Sequence, residues 1–570
     1  MDFLKFLKRF HIGKYEICLV GILLFALALR LVLLALDWPT TNSDEGNMGV
    51  LALHIAYKGE WPVFFYGQPY MGPVEGYVSA LLFRIFGPSL FVLRLGLLPF
   101  FALFLICMYG LTCLLQSKRF ALFITLLFAF SGSTVIYLQL KAFGEYPETE
   151  FFAAAICLIV VWLARSLPSD ASLKRLDFFR IGVYGVLGLI IGLAMWVDLL
   201  ILPFVCMGIL FLLLFCRREV FSFPGLSLLL TIIVGLLPLI IYNLHVPFAQ
   251  NSITELLALQ SGTSSPHRSF LAHLIGTFGI SLPAMLSYSP TCPQEAFPLF
   301  GKTNIVCGLV QSSWGAGYLI LCTIVAVMSL FMLGKIWRNR AGTALFAPDW
   351  TFEQRQSLIR ACGRLMVLVC ALGTLLLYLT SAASANTPGP TNRYLIGMLV
   401  SIPTVLWPLW KGIRPLHVSD NWKRITVQVL RVGLLALILG MFIYGTCFIF
   451  VTEVPAAQVT YRQQIEVVER LESLNARYVY SEYWTCNNLT FLSDEKIICS
   501  ALDSNLNLGK NRYLPYQTMV AAAAHPTYIF PDGSPQVHSF EQAIAQKKFQ
   551  TTYQRILIDG YTIYSPQIVH

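Results

Sequence analysis

"EICLVGILLFALALRLVLLALDWPTTNSDEGNMG", residues 16–49, runs through some twenty apolar positions and ends on two adjacent carboxylates, Asp44 and Glu45. A helix needs about 20 predominantly apolar residues to cross the hydrocarbon core of a bilayer, so the run at 17–36 is read as a membrane span. Only helices and closed barrels satisfy their backbone polar groups in lipid. An unbroken apolar run excludes a barrel, whose strands alternate. No small-residue cleavage site follows the run, which marks it as an anchor rather than a cleaved leader.

The rest of the chain has the same character. Of 570 residues 56% are hydrophobic and 12% charged, where ordinary soluble domains carry about 25% charged residues. Hydropathy places eleven spans, at 17–36, 91–115, 120–138, 149–165, 181–197, 199–216, 225–245, 314–334, 361–382, 394–410 and 426–450. The predicted fold is therefore an all-α polytopic membrane domain over 1–450, with outer loops at 37–90 and 246–313. Residues 451–570 are more polar. A helical pattern at 458–474 is followed by the strand-like runs "RYVYS" (477–481), "KIICSA" (496–501), "TYIFP" (527–531) and "RILIDGYTIYS" (555–565). That predicts a small α/β domain.

Charge sets the expected orientation. With the N-terminus inside, 23 lysines and arginines fall in inside segments and 6 in outside loops, the asymmetry of cytoplasmic loops. The N-terminus is expected in the cytoplasm and the C-terminal domain outside the cell membrane. The net charge of +10 thus reflects topology and carries no nucleic-acid signal. Cys292, Cys307, Cys486 and Cys499 lie in outside segments as two close pairs, candidates for disulfides in an oxidising compartment, with free thiols the alternative. The sequon Asn488-Leu489-Thr490 matters only if the host glycosylates such sites.

Four polar elements meet at the outer face: Asp44 and Glu45; "YGQPYMGPVEGY" (66–77); "QLKAFGEYPETE" (139–150); and "NTPGPTNRYL" (386–395). Each has a structural explanation. Ser43 with its two acids suits the cap of a helix over 44–58. Glu145, Glu148 and Glu150 suit a solvated loop, and Arg393 a headgroup anchor. Tyr66, Tyr70 and Tyr77 suit an aromatic belt, and His54 an interfacial polar residue. Met48, Leu51 and Ile55 mark one face of an amphipathic helix and "VSALLFRIFG" (78–87) a second, both expected to lie in the membrane interface.

An Asp-Glu pair after the first span, an aromatic "GQPYMGP" segment, a second acidic outer loop and Arg-Tyr-Leu opening a late span occur in this order. Together they resemble membrane glycosyltransferases of the type-C (GT-C) fold. The nearest group includes protein O-mannosyltransferases, aminoarabinose transferases and RgtA/B/C/D-like transferases. The resemblance implies an inverting enzyme that moves a sugar from a polyprenyl-phosphate carrier to an acceptor hydroxyl on a lipid, glycan or protein at the outer face. It implies Asp44 as general base, with Glu45 orienting the acceptor or Asp44. Glu75, Glu145 and Tyr70 are expected to support the site, and Lys141, Arg393 and His54 to meet the donor phosphate. Where aminoarabinose-transferring relatives have Glu-Lys-Pro, this chain has Met71-Gly72-Pro73, so the family's lysine there is missing. No cofactor is required by this chemistry. Mg²⁺ or Mn²⁺ on Asp44 and Glu45 stays open, since no ligand spacing is diagnostic. Two rivals are a transporter or flippase of lipid-linked sugars and a non-catalytic membrane scaffold. Transporters place ionisable groups at the midplane; here the spans hold little beyond Arg30, Arg94 and Asp198.

Overall fold

A computed structural model describes residues 13–167, 178–261, 268–338, 351–413, 421–549 and 551–567. Of the inside cations counted above, Lys5, Lys8, Arg9, Lys174, Arg175, Arg340 and Arg414 lie outside these ranges, as does 262–267 of the large outer loop.

Among the described residues nine helices are long and apolar enough to cross a membrane, from Lys14–Ala35 at the start to Trp422–Ser473, and a bent pair makes a tenth. This is a multi-pass membrane protein. The span expected at 120–138 is that pair, Lys118–Ala129 and Ser133–Leu140, which turn by 80°. The break falls at Ser131-Gly132, where a Cβ on Gly132 would lie 2.8 Å from the Ser287 backbone. The run expected as a span at 199–216 folds as the shorter Leu199–Phe215 element.

The chain divides into two compact units. The first comprises Met1–Leu29, Pro99–Gln139 and Tyr146–Phe448. Small residues let its helices approach closely: a Cβ on Gly188 or Gly192 of the Phe178–Val197 helix would meet carbonyl oxygens of the Phe223–His245 helix at 2.3 and 2.4 Å. Nearby, Arg180 grips Glu219 through two hydrogen bonds of 2.6 Å, and the Tyr184 hydroxyl donates to the same carboxylate. A disulfide joins Cys292 to Cys307.

The second unit comprises Arg30–Leu98, Leu140–Glu145 and Ile449–His570. Its sheet has strand order β2-β1-β3-β5-β4. The strands are β1 (Tyr478–Ser481), β2 (Ile498–Ala501), β3 (Thr527–Pro531), β4 (Tyr553–Ile558) and β5 (Tyr561–Pro566). β1 pairs in parallel with β2 and β3, while β5 runs antiparallel to β3 and β4. The run "RILIDGYTIYS" is thus a hairpin, folded at Asp559-Gly560 with Gly560 at φ +82°. A second disulfide ties Cys486, on the Tyr483–Leu492 helix, to Cys499 of β2.

The helix expected to start with Ser43 as its cap is capped by Asn42. Asn42 is extended, and its side chain accepts from the Glu45 amide at 3.1 Å. The Ser43 hydroxyl instead accepts from the Asn487 amide at 3.2 Å and from its side chain at 2.9 Å. Helix Ser43–Leu53 is covered on both sides. Met48 and Leu51 pack toward Gly76 of the Val74–Phe86 helix. On its other side a Cβ on Gly46 would sit 2.6 Å from the Asn488 backbone, and one on Gly49 2.4 Å from the Phe491 ring. These glycines let the Tyr483–Leu492 helix come within backbone contact. Asn488 is buried there, and its carbonyl oxygen accepts from the Thr41 hydroxyl at 3.2 Å. The folded sequon therefore presents no open acceptor nitrogen.

Candidate active site

Within the second unit, the first turn of helix Ser43–Leu53 carries two carboxylates with different surroundings. Glu45 is fully buried. Arg94 forks onto it, Nε to Oε1 at 2.8 Å and Nη2 to Oε2 at 2.7 Å, and the Ala142 amide donates to Oε1 at 3.0 Å. Arg94 Nη2 also donates to the Pro39 carbonyl. Glu45 is thus saturated by groups that hold the fold. Asp44 keeps 14% of its side chain exposed. Arg512 Nη2 donates to its Oδ1 at 2.8 Å, and the Tyr483 hydroxyl donates to the same oxygen. Among the described residues both bonds go to Oδ1, which leaves Oδ2 for another donor.

Segment 140–145 straps this turn. The Gly144 amide donates to Glu75 Oε1 at 2.9 Å, and Lys141 Nζ donates to the Thr40 carbonyl at 2.8 Å while lying 5.6 Å from the Phe143 ring. Glu75, Lys141 and Glu145 are all buried. Tyr70 packs half-buried against the apolar core of this unit. Asp44, Glu45, Glu75, Tyr70, Lys141 and Glu145 therefore belong to one unit. Arg393 belongs to the other, where its guanidinium lies over the Tyr146 ring, and Glu150 there accepts from Gln139.

His54 lies ten residues along the same helical stretch, about 15 Å from Asp44 at 1.5 Å per residue. It is fully buried, with Nδ1 2.9 Å from the Tyr66 hydroxyl and Nε2 3.0 Å from both Glu495 Oε1 and the Tyr516 hydroxyl. The Tyr66 hydroxyl donates to Glu60, as does that of Tyr513, and Tyr77 donates to the Pro62 carbonyl. These tyrosines serve internal bonds rather than a belt at the lipid surface, and His54 belongs to a polar core with no place beside Asp44.

That core sets a pH dependence. Burial pushes Glu495 up, but hydrogen bonds from His54, Lys58 and Tyr516 outweigh it and lower its pKa from 4.5 to about 2. A depressed carboxylate stabilises the fold above its ordinary pKa, and that contribution fades as pH falls from about 4.5 through about 2. Thermal unfolding of the wild type should therefore lose stability across this window. Glu495→Gln should be less stable at neutral pH and show a flatter profile there.

Arg512, Tyr483 and Lys510 are not among the candidates that the sequence suggests. Lys510 feels the Arg512 and Asp44 charges; burial first and then Arg512 push its ammonium below the usual lysine range, with Asp44 opposing. One signal does point to Arg512: Asn-Arg-Tyr-Leu occurs at 392–395 and again at 511–514.

Among the described residues no three His, Cys, Asp or Glu side chains cluster to hold a metal ion. The pair that Mg²⁺ or Mn²⁺ would need, Asp44 and Glu45, turns toward two different guanidinium groups.

No family model matches the sequence, and a search of curated proteins finds no match. Solved structures do match. ArnT from Cupriavidus metallidurans bound to undecaprenyl phosphate has a TM-score of 0.56 at 12% identity, covering 96% of this chain and 97% of that one. The apo form of the same protein gives 0.54 at 12% identity with the same coverage. ArnT is an aminoarabinose transferase of the GT-C class. At this identity the likeness is one of fold, and the chain has the GT-C fold over nearly its whole length.

Proposed function

We propose that this protein is an integral-membrane glycosyltransferase that moves a sugar from a polyprenyl-phosphate carrier to an acceptor hydroxyl, with inversion at the anomeric carbon. The observation that carries this reading is Asp44: a partly exposed carboxylate fixed through one oxygen and open at the other. The fold supports it, because the ArnT structure that shares it holds undecaprenyl phosphate.

A sugar hydroxyl is a poor nucleophile, and a positioned carboxylate accelerates its attack by taking the proton. The acceptor oxygen attacks the anomeric carbon, its proton passes to Asp44 Oδ2, and the bond from that carbon to the phosphate oxygen breaks. The electron pair leaves with the polyprenyl phosphate, which gains negative charge. Nearby cations stabilise that charge; Lys141 in the strap and Lys510 beside Arg512 are suited to this. Arg393 stays a candidate of the other unit. Glu45 and Glu75 serve by holding the strap and the first turn in place.

On this reading the C-terminal domain lies outside the cytoplasm and 1–450 forms the membrane part. The charge asymmetry and two disulfides in outer segments support this orientation. Two of the charges noted in the spans have structural partners: Arg94 binds Glu45, and Asp198 Oδ1 accepts from the Leu200 amide. That weighs against a transport path. Acceptor and sugar identity rest with the loops and the C-terminal domain. The test is transfer in membranes supplied with a panel of polyprenyl-phosphate sugars, where at least one donor should yield product with an inverted anomeric carbon. No transfer from any donor overturns the reading.

A further inference from the structure

A carboxylate that serves as a base must be held in place as well as ionised. We propose that Tyr483 and Arg512, both C-terminal to the last membrane span, are positioning residues for Asp44. This rests on the reading of Asp44 as the base.

Three hydrogen bonds close a ring. Arg512 Nε donates to the Tyr483 hydroxyl at 2.7 Å, that hydroxyl donates to Asp44 Oδ1, and Arg512 Nη2 donates to the same Oδ1 at 2.8 Å. The arginine side chain is only 5% exposed, and its guanidinium lies 5.4 Å from the Phe65 ring and 5.7 Å from the Tyr483 ring.

The "GQPYMGP" motif builds this pocket. Gly67 has φ +73°, and a Cβ there would lie 2.9 Å from Arg512 Cδ and 3.2 Å from its Cα. A glycine is needed both for the backbone conformation and for the arginine's passage. The Phe65 amide closes the turn on the Met71 carbonyl at 2.8 Å. Tyr483 begins a helix that Glu482 caps through the Trp484 amide and that the Cys486–Cys499 bridge ties to β2.

The ring acts on the chemistry by holding Oδ1 and so aiming Oδ2 at the acceptor. Burial, with Asp44 beside it, pushes the Tyr483 hydroxyl above the usual tyrosine range, so it remains a donor.

Tyr483→Phe removes one donor and keeps the ring that packs 5.0 Å from Trp484. Its kcat should fall about tenfold, because the carboxylate is less firmly aimed, while KM for the donor stays near the wild-type value. Arg512→Lys should retain more activity than Arg512→Ala, because it restores the charge without the fork. An unchanged kcat in Tyr483→Phe, or a fall in kcat matched by an equal loss of folded protein, where Asp44→Asn stops transfer, overturns this assignment alone. A wild type that transfers from no donor overturns the reading of Asp44 and this assignment with it.

Discussion

Asp44→Asn protein, inserted in membranes at the wild-type level, should transfer sugar at least a hundredfold more slowly than wild type. A positioned general base contributes about 10²–10⁴ in rate, and an amide oxygen cannot take the acceptor proton at neutral pH. The substitution is close to isosteric, so the new amide oxygen still accepts from Arg512 and Tyr483. Asp44 is 14% exposed, but its partner Arg512 is only 5% exposed, so removing the charge also lowers Tm and the rate is compared per folded protein. Donor binding, measured without turnover, should persist if the carrier phosphate is held by cations as proposed. Transfer by Asp44→Asn at the wild-type rate would remove the base from the mechanism.

At its neighbour the loss of stability should dominate. Glu45→Gln is expected to destabilise the second unit by about 3–5 kcal/mol, the usual cost of removing one partner from a buried ion pair. Glu45 and Arg94 are 0% and 1% exposed as side chains, so the guanidinium left behind has no water to turn to. The strap is affected too, because Glu45 Oε1 holds the Ala142 amide. Thermal unfolding of the purified protein in detergent should show a clear fall in Tm. Replacing both Glu45 and Arg94 by methionine should recover part of the loss, since two apolar side chains leave no buried charge. An unchanged Tm in Glu45→Gln would contradict the structural role given to this pair. On the proposed reading two adjacent carboxylates divide into one that works and one that holds, a distinction their sequence positions do not make.

Much of the architecture is legible in the chain because lipid imposes a simple pattern. Long apolar runs become spans, and the change of composition after 450 marks the mixed sheet domain. The breaks are harder to see. Gly132 interrupts an apolar run without a charged residue to announce it, and its cause, the Ser287 backbone, is far away in sequence. Helix Ser43–Leu53 reads as amphipathic because Met48, Leu51 and Ile55 form a stripe. The opposite side, with Gly46 and Gly49, looks polar or empty in sequence, yet it is where another helix packs. Small residues signal close approach as much as exposure.

For the site, Asp44 stands out through its position after a span. Its partners do not, since Tyr483 and Arg512 are 439 and 468 residues away and lie in the more polar region after 450. His54 shows the converse. A histidine near an acidic pair invites a phosphate-binding role, but about three helical turns and a shell of tyrosines separate it from Asp44.

The most direct test of direct displacement by an Asp44-activated hydroxyl is the anomeric configuration of the product, read by NMR after transfer from a polyprenyl-phosphate sugar of known configuration. A single displacement inverts the anomeric carbon, and inversion is the result expected here. Retention would exclude a single back-side displacement and would contradict the role assigned to Asp44.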